Sequence, residues 1–297
     1  MSAILSPRLG IPLLMLLATL FACNHIAARL AFDHGASVAA AVAVRSGATA
    51  LVMVALLRLQ GVSMVLPRAT LARGLGIGVL VAVQSFCLYS AVAAIPVALA
   101  LLAFNTFPML FVLLSWAAGG ENPGRRALVA MPLALVGLVL ALDILGTLEV
   151  MAGRWAEIGV GVGWALGAAT SFALVLFLTT RHLKLVDGRL RTLLTMGTTA
   201  VVVGLGGAAA GSLALPADAT GWLGLALLTV LYGTAITSIF TVVPRLASPS
   251  NTAALNFEPI AALALGWAVL GQGVAPRQMV GALIVVGAVI LIGAKKH

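Results

Sequence analysis

Charge is scarce in this chain. Asp, Glu, Lys and Arg make up only 8% of its 297 residues, against about 25% in an ordinary soluble domain. A protein of this length could not cover a water-facing surface with so little. Acids are the rarer sign, eight against seventeen bases. Cys23 and Cys87 both fall inside apolar runs, which excludes a disulfide framework and leaves no metal-ligand spacing. Of four histidines only His25 lies within such a run. No Gly-x-Ser-x-Gly, His-x3-His or paired acidic motif occurs, which argues against a membrane-embedded enzyme. The lack of an ATP-binding loop excludes primary pumping by this chain alone. No cofactor or metal is expected.

What the chain has instead is apolar length. It is 62% hydrophobic, with a mean hydropathy of +1.17. Runs near the roughly 20 residues needed to cross a hydrocarbon core occur at about 9–31, 36–57, 73–93, 96–117, 127–145, 157–180, 190–213, 220–243, 250–270 and 277–294. Backbone groups in lipid must bond within their own segment, so these spans are helices. The expected fold class is all-α integral membrane with ten transmembrane helices. The short link at Ala94-Ile95-Pro96 predicts a close antiparallel hairpin of spans three and four.

Basic residues set the orientation. With the amino terminus inside, thirteen of the seventeen lie on the inner side, Arg29, Arg154 and Arg277 lie outside, and Arg45 sits within span two. Both termini are then cytoplasmic. The net charge of +9 is a topology signal, and no nucleic-acid partner is needed to explain it. The opening MSAILSPRLGIPLLMLLATLFAC has the basic start, apolar core and small residues before a cysteine of a signal peptide, loosely a lipoprotein one.

An internal repeat argues against cleavage there. AFNTFPMLFVLLSW (Ala103–Trp116) and ALNFEPIAALALGW (Ala254–Trp267) share an Asn-x-x-Pro frame and a closing Trp, 151 residues apart. At the same shift LGIPLLMLLATLFA from Leu9 aligns with VGVGWALGAATSFA from Val160, so Leu16–Ala22 corresponds to the interior of span six. Residues 1–150 and 151–297 read as two five-span copies. Five is odd, so the second copy enters the membrane inverted, a plan typical of secondary transporters with a site at the repeat interface.

FEPIAALALGWAVLGQ (Phe257–Gln272) followed by GALIVVGAVILIGA (Gly281–Ala294), with NTFPMLFVLLSWAAGGE (Asn105–Glu121) in the first half, resembles the EamA branch of the drug/metabolite transporter superfamily. Within it the chain looks most like YddG-type exporters of amino acids, aromatic ones especially. The resemblance implies efflux of metabolites through a central cavity by alternating access. Two departures stand out: Phe107 where the second half has Glu258, and Gln272 where the first half has Glu121.

Polar groups mark the helices that line a path, because a charge at the bilayer centre costs roughly 2.5–3.5 kcal/mol. Spans five and ten carry none in their interiors, so they read as peripheral packing helices, available for a dimer contact. Candidate substrate-binding residues are Asn24, His25, Gln84, Tyr89, Asn105, Trp164, Ser171, Tyr232 and Asn256. Amides and hydroxyls would take the two charged ends of a zwitterion, with Trp164, Tyr89 and Tyr232 flanking a ring. Neighbours on a helix lie about 100° apart, so Asn24 and His25 are not expected to point straight at one cavity. Pro108 and Pro259 withhold N–H groups from the carbonyls of Phe104 and Leu255 and should bend spans four and nine. Glu258 lies about 13 Å into span nine at 1.5 Å per residue. It is protonated and structural, paired with Arg45, or titrating to couple flux to a proton gradient. Glu258, Arg45, Pro108 and Pro259 are therefore the coupling or gating candidates.

The sequence thus points to a monomeric or weakly dimeric carrier of a small molecule in the lipid bilayer. Arg outnumbers Lys fourteen to three in an Ala- and Gly-rich chain, which suggests a GC-rich bacterial genome and a multi-pass protein of the inner membrane. Amino acids are the expected cargo, and a nucleobase, sugar or drug is the alternative.

Overall fold

The computed structural model describes residues 7–119, 155–242, 257–273 and 275–293, with helical residues at 129, 132–133, 136–137 and 139–140. The described residues contain no strand. The helices are α1 (Pro7–Asp33), α2 (Val38–Leu59), α3 (Arg68–Ala94), α4 (Val97–Phe104), α5 (Phe107–Ala117), α6 (Trp155–His182), α7 (Gly188–Ala209), α8 (Ala219–Val242), α9 (Glu258–Leu270) and α10 (Pro276–Gly293). Among the described residues, seven stretches are long and apolar enough to cross a membrane, with α4 and α5 together forming one of them. The helices α9 and α10 are shorter and apolar. Most of the fifth expected span, and the start of the ninth, lie outside the described residues.

Helix ends differ from the hydropathy limits where charge begins. Helix α3 starts at Arg68 rather than near 73, and both Arg68 and Arg73 are exposed on its first turns. A helix need not stop where the hydrocarbon does, because Arg side chains can carry their charge to the interface. The Ile95-Pro96 link is as tight as expected. The close hairpin is not the main packing, however: α3 lies chiefly against α6 and α7, and α4 against α6 and α9. A two-residue link fixes where α4 starts but not what its sides touch.

The packing is reciprocal under the 151-residue shift. That shift takes α1 to α6, α2 to α7, α3 to α8 and α5 to α9. Correspondingly α1 packs on α8 while α6 packs on α3, and α1 packs on α9 while α6 packs on α5. Helices α2 and α7, which exchange with each other, also pack together. The large interfaces therefore join one half to the other.

Lipid offers no hydrophobic drive for helix association, so small residues that let backbones approach carry the contact. Helix α1 buries Ala18, Ala22, Ala27, Ala28 and Ala31. A Cβ at Gly224 of α8 would lie 2.7 Å from the Ala31 nitrogen and 2.9 Å from the Ala27 oxygen. Only glycine permits that approach. A Cβ at Gly137 would likewise lie 2.9 Å from the Gly281 carbonyl oxygen of α10.

At one end of the bundle the two halves are clamped. The Ser37 N–H donates to the Ala214 carbonyl (2.9 Å) and the Ala217 N–H to that of His34 (2.9 Å). The Ala214 N–H returns to Ser37 Oγ (3.0 Å), and His34 Nδ1 lies 2.7 Å from Asp218 Oδ2. The Gly221 N–H and then His34 hold the exposed Asp218 carboxyl below its ordinary range. At the opposite end, loops 60–67 and 183–187 share no hydrogen bond among the described residues. Asp187 is occupied locally, capping α7 through the Arg189 N–H (2.8 Å) and facing the Arg189 side chain (2.7 Å). Those bonds hold its carboxyl at about 2. Its contribution is thus complete above the unfolded value near 4 and constant over the physiological range.

Ser37 serves twice, because its Oγ also accepts from the Ala40 N–H (3.1 Å) as the N-cap of α2. Ser37→Ala is expected to destabilise the protein by about 1–2 kcal/mol. Faster hydrogen exchange at the Ala40 and Ala214 amides, with the interior of α3 unchanged, would register it.

Candidate functional site

In the first half the Asn-x-x-Pro frame breaks the helix rather than merely bending it. Helix α4 stops at Phe104, Asn105 and Thr106 form a turn, and α5 begins at Phe107 with Pro108 in its first turn. Helix α9 begins at the matching residue, Glu258, with Pro259 in its first turn. Asn105 does not project into a cavity: its Nδ2 donates to the Leu101 carbonyl (2.9 Å). Thr106 donates likewise to the Ala103 carbonyl (2.8 Å). The side chains thus satisfy carbonyls of the last turn of α4 at the break. Asn256, the repeat counterpart of Asn105, lies outside the described residues, as does Leu255.

Three helices meet at Tyr89, and α8 and α9 join the cluster through Arg45 and His25. The Tyr89 ring is fully buried on α3, and its hydroxyl pairs with the Asn24 amide of α1, at 3.0 Å from Nδ2 and 3.2 Å from Oδ1. The same hydroxyl accepts from Arg45 NH1 of α2 (3.1 Å), and Arg45 NH2 donates to Ser85 Oγ (3.2 Å). The Arg45 guanidinium lies over two rings, 4.8 Å from the centroid of Tyr89 and 3.8 Å from that of Tyr232 on α8. Ring faces attract a cation by their quadrupole, most strongly where water is excluded, and Arg45 is only 3% exposed. Gln84 accepts from Ser85 Oγ at a long 3.4 Å.

Glu258 faces His25, not Arg45. His25 Nε2 lies 3.3 Å from Glu258 Oε1, and the His25 ring tilts against Tyr89 with centroids 5.4 Å apart. The pairing of Glu258 with Arg45 considered from the sequence is therefore replaced: α9 packs on α1, which presents His25, while Arg45 turns toward α3 and α8. Asn24 and His25 both reach the cluster despite their 100° separation, because one takes the Tyr89 hydroxyl and the other its ring. Arg29, one turn beyond His25 on α1, is occupied by Asp33 (2.8 Å) and by the Val92 and Ala93 carbonyls at the end of α3 (3.1 and 3.0 Å). That placement suits the negative end of the helix dipole.

The cluster has no polar twin. Shifted by 151 residues, Asn24, His25, Arg45, Ser85 and Tyr89 become Val175, Leu176, Met196, Ile236 and Phe240, and Glu258 answers to Phe107. Val175 and Met196 are buried with Ile77, Val81 and Leu183 in an apolar cluster. Phe107 packs edge-on against Phe172, with centroids 4.8 Å apart, and beside Phe104 at 5.3 Å. One of two symmetry-related positions is polar and ionisable, and the other is sealed by hydrocarbon.

Two further candidates stand apart. Trp164 is 39% exposed and meets Phe86 edge-on at 6.1 Å on an outward face of α3 and α6. Ser171 is half-buried on α6. Ser85 is a member the sequence reading passed over. Its place four residues before Tyr89 puts both on one face of α3, which was the available signal.

A bundle of interlocked apolar helices around one buried polar cluster, built by both halves, defines a multi-pass membrane protein. The chain belongs to the EamA-like transporter family, whose model matches residues 8–142 and again 159–294, so both repeats carry the family unit. No curated protein matches it significantly. Nineteen chains of solved structures do match. One, titled only as the crystal structure of a protein, has a TM-score of 0.64 at 19% identity over 95% of this chain and 95% of its own. That likeness shows a shared fold.

Proposed function

We propose that the chain is a secondary transporter that exports small metabolites, amino acids first among them, by alternating access between two inverted repeats. The polar cluster carries this reading. In a protein with so little charge, Asn24, His25, Arg45 and Tyr89 from the first half converge with Tyr232 and Glu258 from the second. A movement of one half against the other would remake those contacts, as a transport cycle requires. Aromatic and other neutral amino acids fit the mixture of charge, amide and ring faces.

The repeats divide near residue 150, ten spans cross the membrane, and both termini lie in the cytoplasm of a bacterial cell. Under that orientation the clamped end, at His34–Ser37 and Ala214–Asp218, faces outward. The opposite end lacks such a clamp among the described residues, which supports an inward-facing state.

Counterflow in proteoliposomes with radiolabelled phenylalanine, tryptophan, leucine and threonine tests the proposal. Saturable exchange, abolished by excess unlabelled solute, is the expected result. Silence across the panel would remove amino acids and move the search to nucleobases, sugars and drugs.

A further inference from the structure

Arg45 is a buried cation whose charge is left unbalanced among the described residues. Guanidinium remains protonated at any physiological pH. Each of the four acids with described side chains faces a different base: Asp33 faces Arg29, Asp187 faces Arg189, Asp218 faces His34 and Glu258 faces His25. Arg45 contacts two hydroxyls and two ring faces, which are attractive but carry no charge. Its Nε is buried without a hydrogen-bond partner. Leaving a buried charge without a counter-charge is strongly unfavourable, and a buried unpaired donor calls for an explanation.

The surroundings are those of a binding site. The buried side-chain atoms without partners among the described residues are His25 Nδ1, Arg45 Nε, Ser46 Oγ and Thr237 Oγ1. All belong to α1, α2 and α8, the helices that meet around Arg45. A cleft of about 530 Å³ opens between α2 and α8. Its lining mixes the apolar Ala48, Val52 and Val230 with hydroxyls of Thr234, Thr237 and Ser238. Its lining begins one turn along α2 from Arg45 and on α8 runs on both sides of Tyr232, from Thr229 to Ser238, so the Arg45–Tyr232 stack lies beside it.

We infer that Arg45 anchors the carboxylate of the transported solute, which makes the substrates carboxylic acids, amino acids included, rather than neutral nucleobases, sugars or cationic drugs. A guanidinium fork matches a carboxylate with two parallel N–H···O bonds, and here Nε is the free donor. One cation balances one negative charge, whereas a phosphate dianion would bring an uncompensated charge into the bilayer. The inference rests on the transporter reading above and specifies its substrate class.

Binding to the purified full-length chain, measured by isothermal titration, tests it. The probes are L-phenylalanine, 3-phenylpropionate, L-phenylalaninamide, phenethylamine and phenyl phosphate. The two carboxylates are expected to bind at least about tenfold tighter than the amide, the amine and the phosphate, the range of a charge-assisted hydrogen bond. In Arg45→Met that preference should fall below about twofold, and Arg45→Lys should keep part of it. A purely structural arginine would change stability and leave the acid-to-amide ratio alone. Equal binding of acid and amide by the unaltered protein, tighter binding of the phosphate, or an acid preference that survives in Arg45→Met would overturn the inference. If Arg45→Met does not fold, the acid-to-amide ratio of the unaltered protein decides by itself. Binding of none of the probes also overturns it, and saturable counterflow of a sugar or nucleobase would then preserve the transporter reading without it.

Discussion

Tyr89→Phe is expected to destabilise the protein by about 2–4 kcal/mol, a large effect for one oxygen atom. The hydroxyl joins three helices, taking the Asn24 amide of α1 and NH1 of Arg45 from α2 onto α3. Removing it leaves a buried amide and one N–H of a buried cation unpaired. Each stranded group costs about 1–3 kcal/mol, with charged groups at the upper end. The ring would stay, so the packing of Phe32 against it at 6.2 Å and the Arg45–ring attraction should survive. The loss would therefore isolate the hydrogen bonds. Thr170→Val supplies the contrast. Its hydroxyl is exposed and bonded to the Leu166 carbonyl of its own helix at 2.9 Å, so an effect within about 0.5 kcal/mol is expected. Unfolding of both variants in detergent, followed by circular dichroism, separates the cases. A neutral Tyr89→Phe would mean that Arg45 and Asn24 find other partners, and the cluster would then be a plastic site rather than a fixed one.

Much of this architecture was legible in the sequence because bilayer physics acts on one chain segment at a time. Hydropathy alone placed α1, α2, α6, α7 and α8 within a few residues of their observed ends. Pro108 marked the α4–α5 break because a missing N–H is a local fact, and Pro259 falls in the first turn of α9. The 151-residue shift foretold that Phe107 and Glu258 would occupy the same place, and each heads its helix. Neighbour relations were harder. Nothing in the periodicity of α2 says that Arg45 turns toward Tyr89 and Tyr232 rather than toward Glu258, because that depends on which helices the fold places beside α2. Trp164 and Asn105 went wide of the cluster for related reasons. An aromatic residue in a span suits a lipid-facing groove as well as a cavity, and an amide beside a helix break has a free carbonyl within its own chain. The absence of a polar twin could have been read by carrying each polar residue through the repeat. Val175, Leu176, Met196 and Ile236 were already there to show that the halves had diverged in chemistry while keeping their fold.

That divergence frames the second large effect, on Glu258→Gln. Flux driven by a pH gradient is expected to fall by about tenfold or more, the range of a lost acid–base group, and its pH dependence should flatten. Exchange without a gradient should persist. The carboxylate heads α9, where the helix dipole favours negative charge, and its partner is His25 at 3.3 Å. Glu258 is 25% exposed by its side chain and His25 only 7%, so water can reach the acid more readily than the base. Among the described elements packed on α9, α4 carries no titratable residue, α10 carries Arg277, and α1 offers Cys23, His25 and Arg29 nearby, the last occupied by Asp33. A proton coupled to flux would have Glu258 and His25 as the side chains placed to carry it. Gln keeps the volume and an acceptor for His25 Nε2 while removing the titration, so a change in pH response without loss of folded protein would identify the proton itself. Its repeat counterpart, Phe107, cannot take up a proton, which means that a moving half would present an ionisable gate at one end of the path and an inert one at the other. A pH response retained in Glu258→Gln and lost in His25→Gln would transfer the role to the histidine. Retention in both would leave the pair as a fixed strut between α1 and α9, with exchange driven by the solute gradient alone.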